Sequence, residues 1–122
     1  MHNNCLVFPK KSRLLIPSDF QRVFKHGRKN RGALFTLIYC KNGGKGARLG
    51  LAIAKRHVPL AVERNRVRRI IRESFRQHQL ALSGHDFVVI AQNTLLELSN
   101  ARLQEDLNQQ WKTLANYFVG SS

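Results

Sequence analysis

The sequence has 122 residues and a mass of 14.0 kDa, and its 21 Lys and Arg residues against 7 Asp and Glu residues give a formal net charge of +14. This length fits one domain, and 43% hydrophobic residues are enough for one core, which excludes a disordered polycation. No apolar run approaches the ~20 residues that span a bilayer, so we expect a cytoplasmic location. Cys5 and Cys40 show no C-x-x-C spacing, so we expect free thiols.

The positive charge is unevenly distributed along the chain. Residues 10–76 hold 19 basic and 3 acidic residues, a net charge of +16, whereas residues 77–122 have a net charge of −2. Such a field costs folding free energy through self-repulsion, which favours a polyanionic partner. Nucleic acid is the polyanion that fits this charge distribution best. An anionic membrane surface fits less well, because the single Trp lies in the part that is not basic.

The first predicted elements are a flexible basic arm over residues 1–12 and a helix over residues 18–26. The helix begins a single domain over residues 13–119, which we expect to bind nucleic acid. Ser18 is the predicted N-cap of this helix, with Gln21 in the capping-box position. Gly27 is predicted to close the helix in a left-handed conformation.

Three strands and two further helices follow. Leu34–Cys40 is rich in β-forming residues, and the turn sequence after it predicts a hairpin with a returning strand over Ala47–Ala54. Helical periodicity runs from Pro59 to about His78, and Phe87–Ala91 is the third strand. A last helix, capped by Ser99, carries an apolar stripe that we assign to the core: Leu103, Leu107, Trp111, Leu114 and Phe118.

The element order α-β-β-α-β-α predicts an α+β fold in which helices cover a small mixed sheet. The second strand, its helix and the third strand form a β-α-β unit.

The middle helix carries the clearest candidate binding surface. A helical wheel places apolar residues on one side and, opposite them, Asn65, Arg66, Arg68, Arg69, Arg72 and Arg76, with Arg64 at the border. A solvated helix face normally interleaves carboxylates, but here only Glu63 and Glu73 accompany six arginines. Arginine binds phosphate oxygens bidentately, so this face favours contact with nucleic acid.

The second strand has one apolar face and one face of small residues between two arginines: Arg48, Gly50, Ala52, Ala54 and Arg56. This face of small residues could hold an extended nucleic-acid strand or let a helix pack closely, and the sequence leaves both interpretations open. Phe20 and Phe24, one helical turn apart, could stack on bases or belong to the core.

Catalytic motifs receive little support from the sequence. It has no glycine-rich phosphate loop or nucleophile elbow, and its histidines show no metal-ligand spacing. His85 and Asp86 would point to opposite faces of a strand, so we interpret them as structural.

The segment from Lys55 to Glu73, with its Arg64-Asn65-Arg66 core, resembles the hallmark helix of the bacterial ribonuclease P protein family. The resemblance extends to Arg48-Leu49-Gly50-Leu51, to Ser18-Asp19-Phe20 and to Asp86–Ala91, and spans about residues 13–118. It implies a left-handed β-α-β crossover, although crossovers are right-handed in about 98% of cases.

The resemblance also implies a function. In this family a catalytic RNA with its own Mg²⁺ ions removes the 5′ leader of precursor tRNA. The chain would then be a subunit of an endoribonuclease whose chemistry takes place on the RNA, and the protein alone would bind no metal. No dedicated protein partner is implied. The residues that match the family's contacts to the catalytic RNA are Lys55, Arg56, Arg64, Asn65, Arg66, Arg68, Arg69 and Arg72. Those that match its leader-binding cleft are Phe20, Phe24, Ile38, Arg48, Ala52, Ala54 and Gln92.

Two other functions are compatible with this composition. A small structural RNA-binding protein, such as a ribosomal protein, would bind RNA without depending on a leader. A protein-only, metal-dependent nuclease would cleave without RNA and would need Asp86 or His85.

Overall fold

A computed structural model describes residues 17–32, 34–44, 46–55, 58–91 and 98–120. These residues form three helices and four strands, in chain order α1 (Pro17–His26), β1 (Arg28–Arg31), β2 (Phe35–Lys41), β3 (Arg48–Ala52), α2 (Ala61–His78), β4 (His85–Ala91) and α3 (Asn100–Gly120). The predicted α+β class is confirmed. The predicted arm over residues 1–12 lies outside the described residues.

The four strands form one mixed sheet in the order β1-β2-β4-β3. β4 pairs parallel with β3, as the β-α-β unit predicts, and antiparallel with β2. The predicted hairpin between β2 and β3 is wrong, because β4 lies between them. The glycine turn does form, with φ of 78° at Gly43 and 85° at Gly44, but it leads to a strand two positions away. β4 takes the central position because Phe87, Val88 and Val89 are buried on both faces of the sheet.

β1 is a strand that the sequence did not predict. Its residues, Arg-Lys-Asn-Arg, show no apolar alternation, and three of the four are exposed. It lies at the sheet edge, where charged side chains are tolerated and protect against pairing with other chains. Asn30 on this strand donates a hydrogen bond to Gln110 Oε1 of α3 (3.1 Å), which holds the edge against the helix layer.

Helices cover both faces of the sheet and create two cores. The larger core lies beneath α2 and α3, where Trp111, Phe75 and Phe87 meet edge to face with ring centroids 5.4–6.0 Å apart. The predicted α3 stripe is confirmed, since Leu103, Leu107, Trp111 and Leu114 are at most 3% exposed. Ser99 caps α3 as predicted, accepting a hydrogen bond from the Arg102 amide (3.2 Å). The smaller core, beneath α1, contains Val23, Ile38 and Val88.

α1 ends differently from the prediction. Gly27 does not adopt the left-handed conformation; among the described residues only Gly43, Gly44 and Gly84 have positive φ. A Cβ at Gly27 would collide with the Val23 carbonyl oxygen and lie 2.7 Å from Ile38 Cγ2. Glycine is therefore needed here because the end of α1 approaches β2 closely. The helix is described from Pro17, so Ser18 lies in its first turn instead of preceding it.

No helix among the described residues is long and apolar enough to cross a membrane.

Candidate nucleic-acid interface

α2 presents its arginines away from the core because its apolar residues face inward. Its buried positions are Val67, Ile70, Ile71, Ser74 and Phe75, as the helical wheel predicts. The opposite side of the helix includes exposed Asn65, Arg69 and Arg72. On this side a polyanion can approach several guanidinium groups at once.

Two of the predicted arginines are held by the protein itself. Arg64 donates hydrogen bonds to the carbonyl oxygens of Val58 (3.0 Å) and Pro59 (2.8 Å), in the segment that leads into α2. Arg66 donates to Glu63 (2.7 Å) and to Asn100 Oδ1 (2.6 Å) at the start of α3, and its side chain is 19% exposed. These side chains fix the ends of two helices.

The remaining members of the predicted RNA-binding set are more accessible. Arg68 donates a hydrogen bond to Asn65 Oδ1 (3.2 Å), so the asparagine orients a neighbouring guanidinium. Arg69 and Lys55 are exposed, and the structure records no ion pair for either within the described residues. Arg56 lies outside the described residues.

The surface beside α1 contains only part of the predicted leader-binding set. Phe24 is 46% exposed and Ala54 is exposed, whereas Phe20 and Ala52 are partly buried against the smaller core. The prediction for Ile38 is wrong, because this side chain is 1% exposed and packs beneath α1. Gln92 lies outside the described residues.

Arg48 takes part in an ion cluster that sequence reasoning missed. Its guanidinium donates to both oxygens of fully buried Asp86, with Nε 2.8 Å from Oδ1 and Nη2 2.7 Å from Oδ2. Arg22 of α1 binds the same carboxylate, and Asn42 donates to Oδ1 (2.9 Å). Arg48 is therefore engaged inside the protein, with its side chain 20% exposed, and its contact with the leader stays a prediction.

The environment of Asp86 keeps its carboxylate charged. Burial alone would raise the pKa of Asp86, but the hydrogen bonds from Arg48, Asn42 and Arg22 outweigh it and lower the pKa below its usual value. Asp86 points to the α1 side of the sheet, while the His85 ring stacks on Phe118 of α3, which confirms that the two side chains separate. The sequence contains both residues, but it does not show that they are partners. Arg48 and Asp86 face each other only because β3 and β4 are neighbouring strands.

The described residues do not fit a protein-held metal site. They include no group of three or more His, Cys, Asp or Glu side chains that could hold an ion. Mg²⁺ prefers several oxygen ligands, and the buried carboxylate of Asp86 is already occupied by two guanidinium groups and an amide.

Comparison with known proteins identifies related sequences over most of the chain. The Ribonuclease P family model matches residues 8–115. A ribonuclease P protein component from Pectobacterium atrosepticum is 42% identical over 107 residues, which cover 88% of this chain and 90% of that protein. The corresponding protein from Nitrosococcus oceani is 39% identical over 104 residues, covering 85% of this chain and 87% of that one.

Solved structures share the fold. The RNase P protein of Staphylococcus aureus superposes with a TM-score of 0.78 at 30% identity, covering 86% of this chain and 96% of that one. The RNase P protein of Thermotoga maritima gives a TM-score of 0.74 at 29% identity, covering 83% of this chain and 96% of that one.

Proposed function

The chain belongs to the ribonuclease P protein family, and from this premise we propose that it binds the catalytic RNA of the enzyme through the outward face of α2. As a ribonuclease P protein component it takes part in tRNA processing as a subunit of an endoribonuclease. The finer assignments below concern which surface meets which RNA.

The arrangement of arginines on α2 carries the proposal. Arg69 and Arg72 project from the side opposite the buried residues, and Asn65 orients Arg68 beside them. Each guanidinium that neutralises a phosphate releases counterions, so a row of them gives strong, salt-sensitive binding to RNA. Arg64 and Arg66 support this face by fixing the start of α2 and its contact with α3.

The second proposed RNA contact is that the surface on the α1 side of the sheet binds the 5′ leader of precursor tRNA. Phe24 offers a half-exposed ring on which an unstacked base can lie, and Ala54, just after β3, is also exposed. Arg48, Arg22 and Asp86 would act here by holding α1 on the sheet.

The chemistry is proposed to reside on the RNA, with its own Mg²⁺ ions. The described part of this chain offers no side-chain set that fits the ion. Its contribution is electrostatic: a chain with a formal charge of +14 reduces repulsion between catalytic RNA and substrate, which lowers the Mg²⁺ concentration that both need.

Cleavage of 5′-labelled precursor tRNA at low Mg²⁺ tests the assignment of the chemistry. The reaction is run with protein alone, with catalytic RNA alone and with both. We expect cleavage at the mature 5′ end only in the combined reaction. Cleavage by the protein alone would place the chemistry on this chain, and no gain over RNA alone would favour a purely structural RNA-binding protein.

Affinity measurements on the assembled enzyme test the leader assignment. Precursor tRNA should bind more tightly than mature tRNA, and affinity should rise with leader length over a few nucleotides and then level off. Phe24→Ala should remove about 1–3 kcal/mol of precursor binding and leave mature tRNA unaffected. Leu80→Ala, at a position that is 93% exposed, is the matched control. Equal affinity of the wild-type enzyme for both tRNAs would contradict the leader assignment.

A further inference from the structure

A cavity of about 320 Å³ opens at the end of the sheet where β2 finishes and β4 begins. Tyr39 and Lys41 of β2, His85 of β4 and the end of α3 line it. Neither proposed RNA surface uses these residues. Its size lies at the lower end of the range for small-molecule sites, which suits a ligand no larger than a nucleotide.

Aromatic rings form one wall of this cavity. The His85 and Phe118 rings stack in parallel, 3.8 Å apart with an interplanar angle of 2°, and Tyr39 meets Phe118 edge to face at 5.5 Å. Burial is the main cause that lowers the pKa of His85, so its ring is uncharged at neutral pH. Tyr117, which is 48% exposed, extends the wall toward solvent. Such rings are suited to stacking on a planar base.

Cationic groups form the rim. Arg28 of β1 donates a hydrogen bond to the Tyr117 hydroxyl (3.3 Å), and Lys41 is exposed. A guanidinium has five N–H donors, so the contact with Tyr117 leaves others for a phosphate oxygen. No carboxylate is found among the described residues that line the cavity. The charge of Asp86 acts on His85 and Cys40, but this carboxylate is paired with Arg22 and Arg48, so the cationic rim still attracts an anion.

The cavity opens at the end of the sheet, and its aromatic wall lies on the α3 side, opposite the surface proposed for the leader. His26 at the end of α1 and Cys40 of β2 complete the lining. Along β2 successive side chains alternate: Ile38 packs beneath α1, whereas Tyr39 contacts Phe118. Arg28 is paired with Tyr39 in the β1–β2 register and shares its face, while Lys29 is paired with Ile38 on the other.

We propose that this cavity is a nucleotide-binding site, in which a base stacks against the aromatic wall and Arg28 and Lys41 bind the attached phosphate. The ligand is a free mononucleotide or one unstacked nucleotide of a single-stranded RNA; both present a base joined to a phosphate. The site adds a third nucleic-acid contact to the two proposed above and depends on neither.

Titration of the ¹⁵N-labelled full-length chain, followed by amide chemical shifts, tests the proposal. The ligands are adenosine 5′-monophosphate, adenosine, inorganic phosphate and a single-stranded hexa-adenylate. Adenosine 5′-monophosphate should shift the amides of Tyr39, His85 and Tyr117 saturably, with adenosine and phosphate each binding at least about tenfold more weakly. Hexa-adenylate binding about tenfold more tightly at these amides would identify an RNA strand as the ligand, and equal binding would identify the free nucleotide.

Single substitutions test whether the nucleotide binds in the cavity. Tyr117→Ala should weaken nucleotide binding about tenfold, Tyr117→Phe should largely preserve it, and Arg28→Ala should weaken it about threefold or more. Lys29→Ala, which removes the same charge from the other face of β1, should change it less than twofold.

The proposal is overturned if no saturable shift occurs at the three amides, if phosphate alone binds as tightly as the nucleotide, or if Lys29→Ala weakens binding as much as Arg28→Ala. Stimulation of tRNA cleavage is measured separately, so failure here leaves the proposed function standing.

Discussion

The guanidinium of Arg48 and the carboxylate of Asp86 form a bidentate pair across the parallel strands β3 and β4, with N–O distances of 2.8 and 2.7 Å. Arg22 of α1 reaches the same carboxylate from above the sheet. One buried side chain therefore connects two strands and the helix that covers them. The position of α1, and with it the surface around Phe24, depends on this connection.

Asp86→Asn should lower the free energy of unfolding by about 3 kcal/mol, because an amide leaves two guanidinium groups without their counter-charge inside the protein. Denaturant unfolding at neutral pH measures the change. Glu105→Gln is the matched control, since this side chain is 79% exposed and lies 3.9 Å from Arg102; it should have no measurable effect. A loss of stability below about 1 kcal/mol for Asp86→Asn would show that the cluster contributes little.

Stability should fall in two steps as the pH is lowered. Burial lowers the pKa values of His78 and His85, so the unfolded chain binds these protons more readily and stability declines below about pH 6.5. The pKa of Asp86 is also lowered, so its contribution is present above the unfolded value near 3.9 and is lost as the pH falls further. Unfolding curves between pH 8 and pH 3 measure both steps. If the lower step is undiminished in Asp86→Asn, it arises from other carboxylates.

Arg69→Ala and Arg66→Ala should affect different properties. Arg69 is exposed, so its removal should weaken binding to the catalytic RNA and reduce the salt dependence of the binding constant by about 0.7–0.9 per phosphate contact, with little change in stability. Arg66 joins α2 to Asn100 of α3, so its removal should cost about 1–2 kcal/mol of unfolding free energy. Filter binding at several salt concentrations, together with denaturant unfolding, separates the two effects. An unchanged salt slope for Arg69→Ala would exclude Arg69 from the interface.

Gly27→Ala should destabilise the protein by about 1–3 kcal/mol, because the added methyl group collides with the backbone of α1 and lies 3.0 Å from the Tyr39 carbonyl oxygen. Gly46→Ala is the matched control: its Cβ would meet no atom within 4 Å, and its φ is not positive. Thermal unfolding compares the two variants. Similar stabilities would mean that α1 shifts at little cost to admit the methyl group.

Local sequence patterns predicted the existence of all three helices, and they predicted α2 and α3 best because each of these carries an apolar repeat of its own. The apolar residues of α2 and α3 repeat at helical spacing, and Ser99 caps α3 as its position predicts. β1 carries no such signal: its four residues are polar, and the strand forms because β2 provides backbone partners and Gln110 holds Asn30.

The outward face of α2 could be predicted from periodicity, but the roles of its individual arginines could not. Arg66 and Arg69 have the same chemistry and lie one turn apart. Only the packing of α3 against α2 shows that Arg66 meets Asn100 while Arg69 remains exposed. Likewise, Ile38 and Tyr39 differ by one position in β2, and the layer that covers each face decides which of them is accessible.

The sequence by itself determined the α+β class, the basic face of α2, the core stripe of α3 and the family, because periodicity, charge and motif spacing are properties of neighbouring positions in the chain. Only the tertiary structure decided that β4 lies between β2 and β3, that Arg48 pairs with Asp86, and that aromatic and cationic residues from three strands and two helices line one cavity. These three features depend on strand order and on side-chain contacts between segments that are distant in the chain. Such contacts are set by the burial of apolar surface from the whole chain, and not by any local pattern.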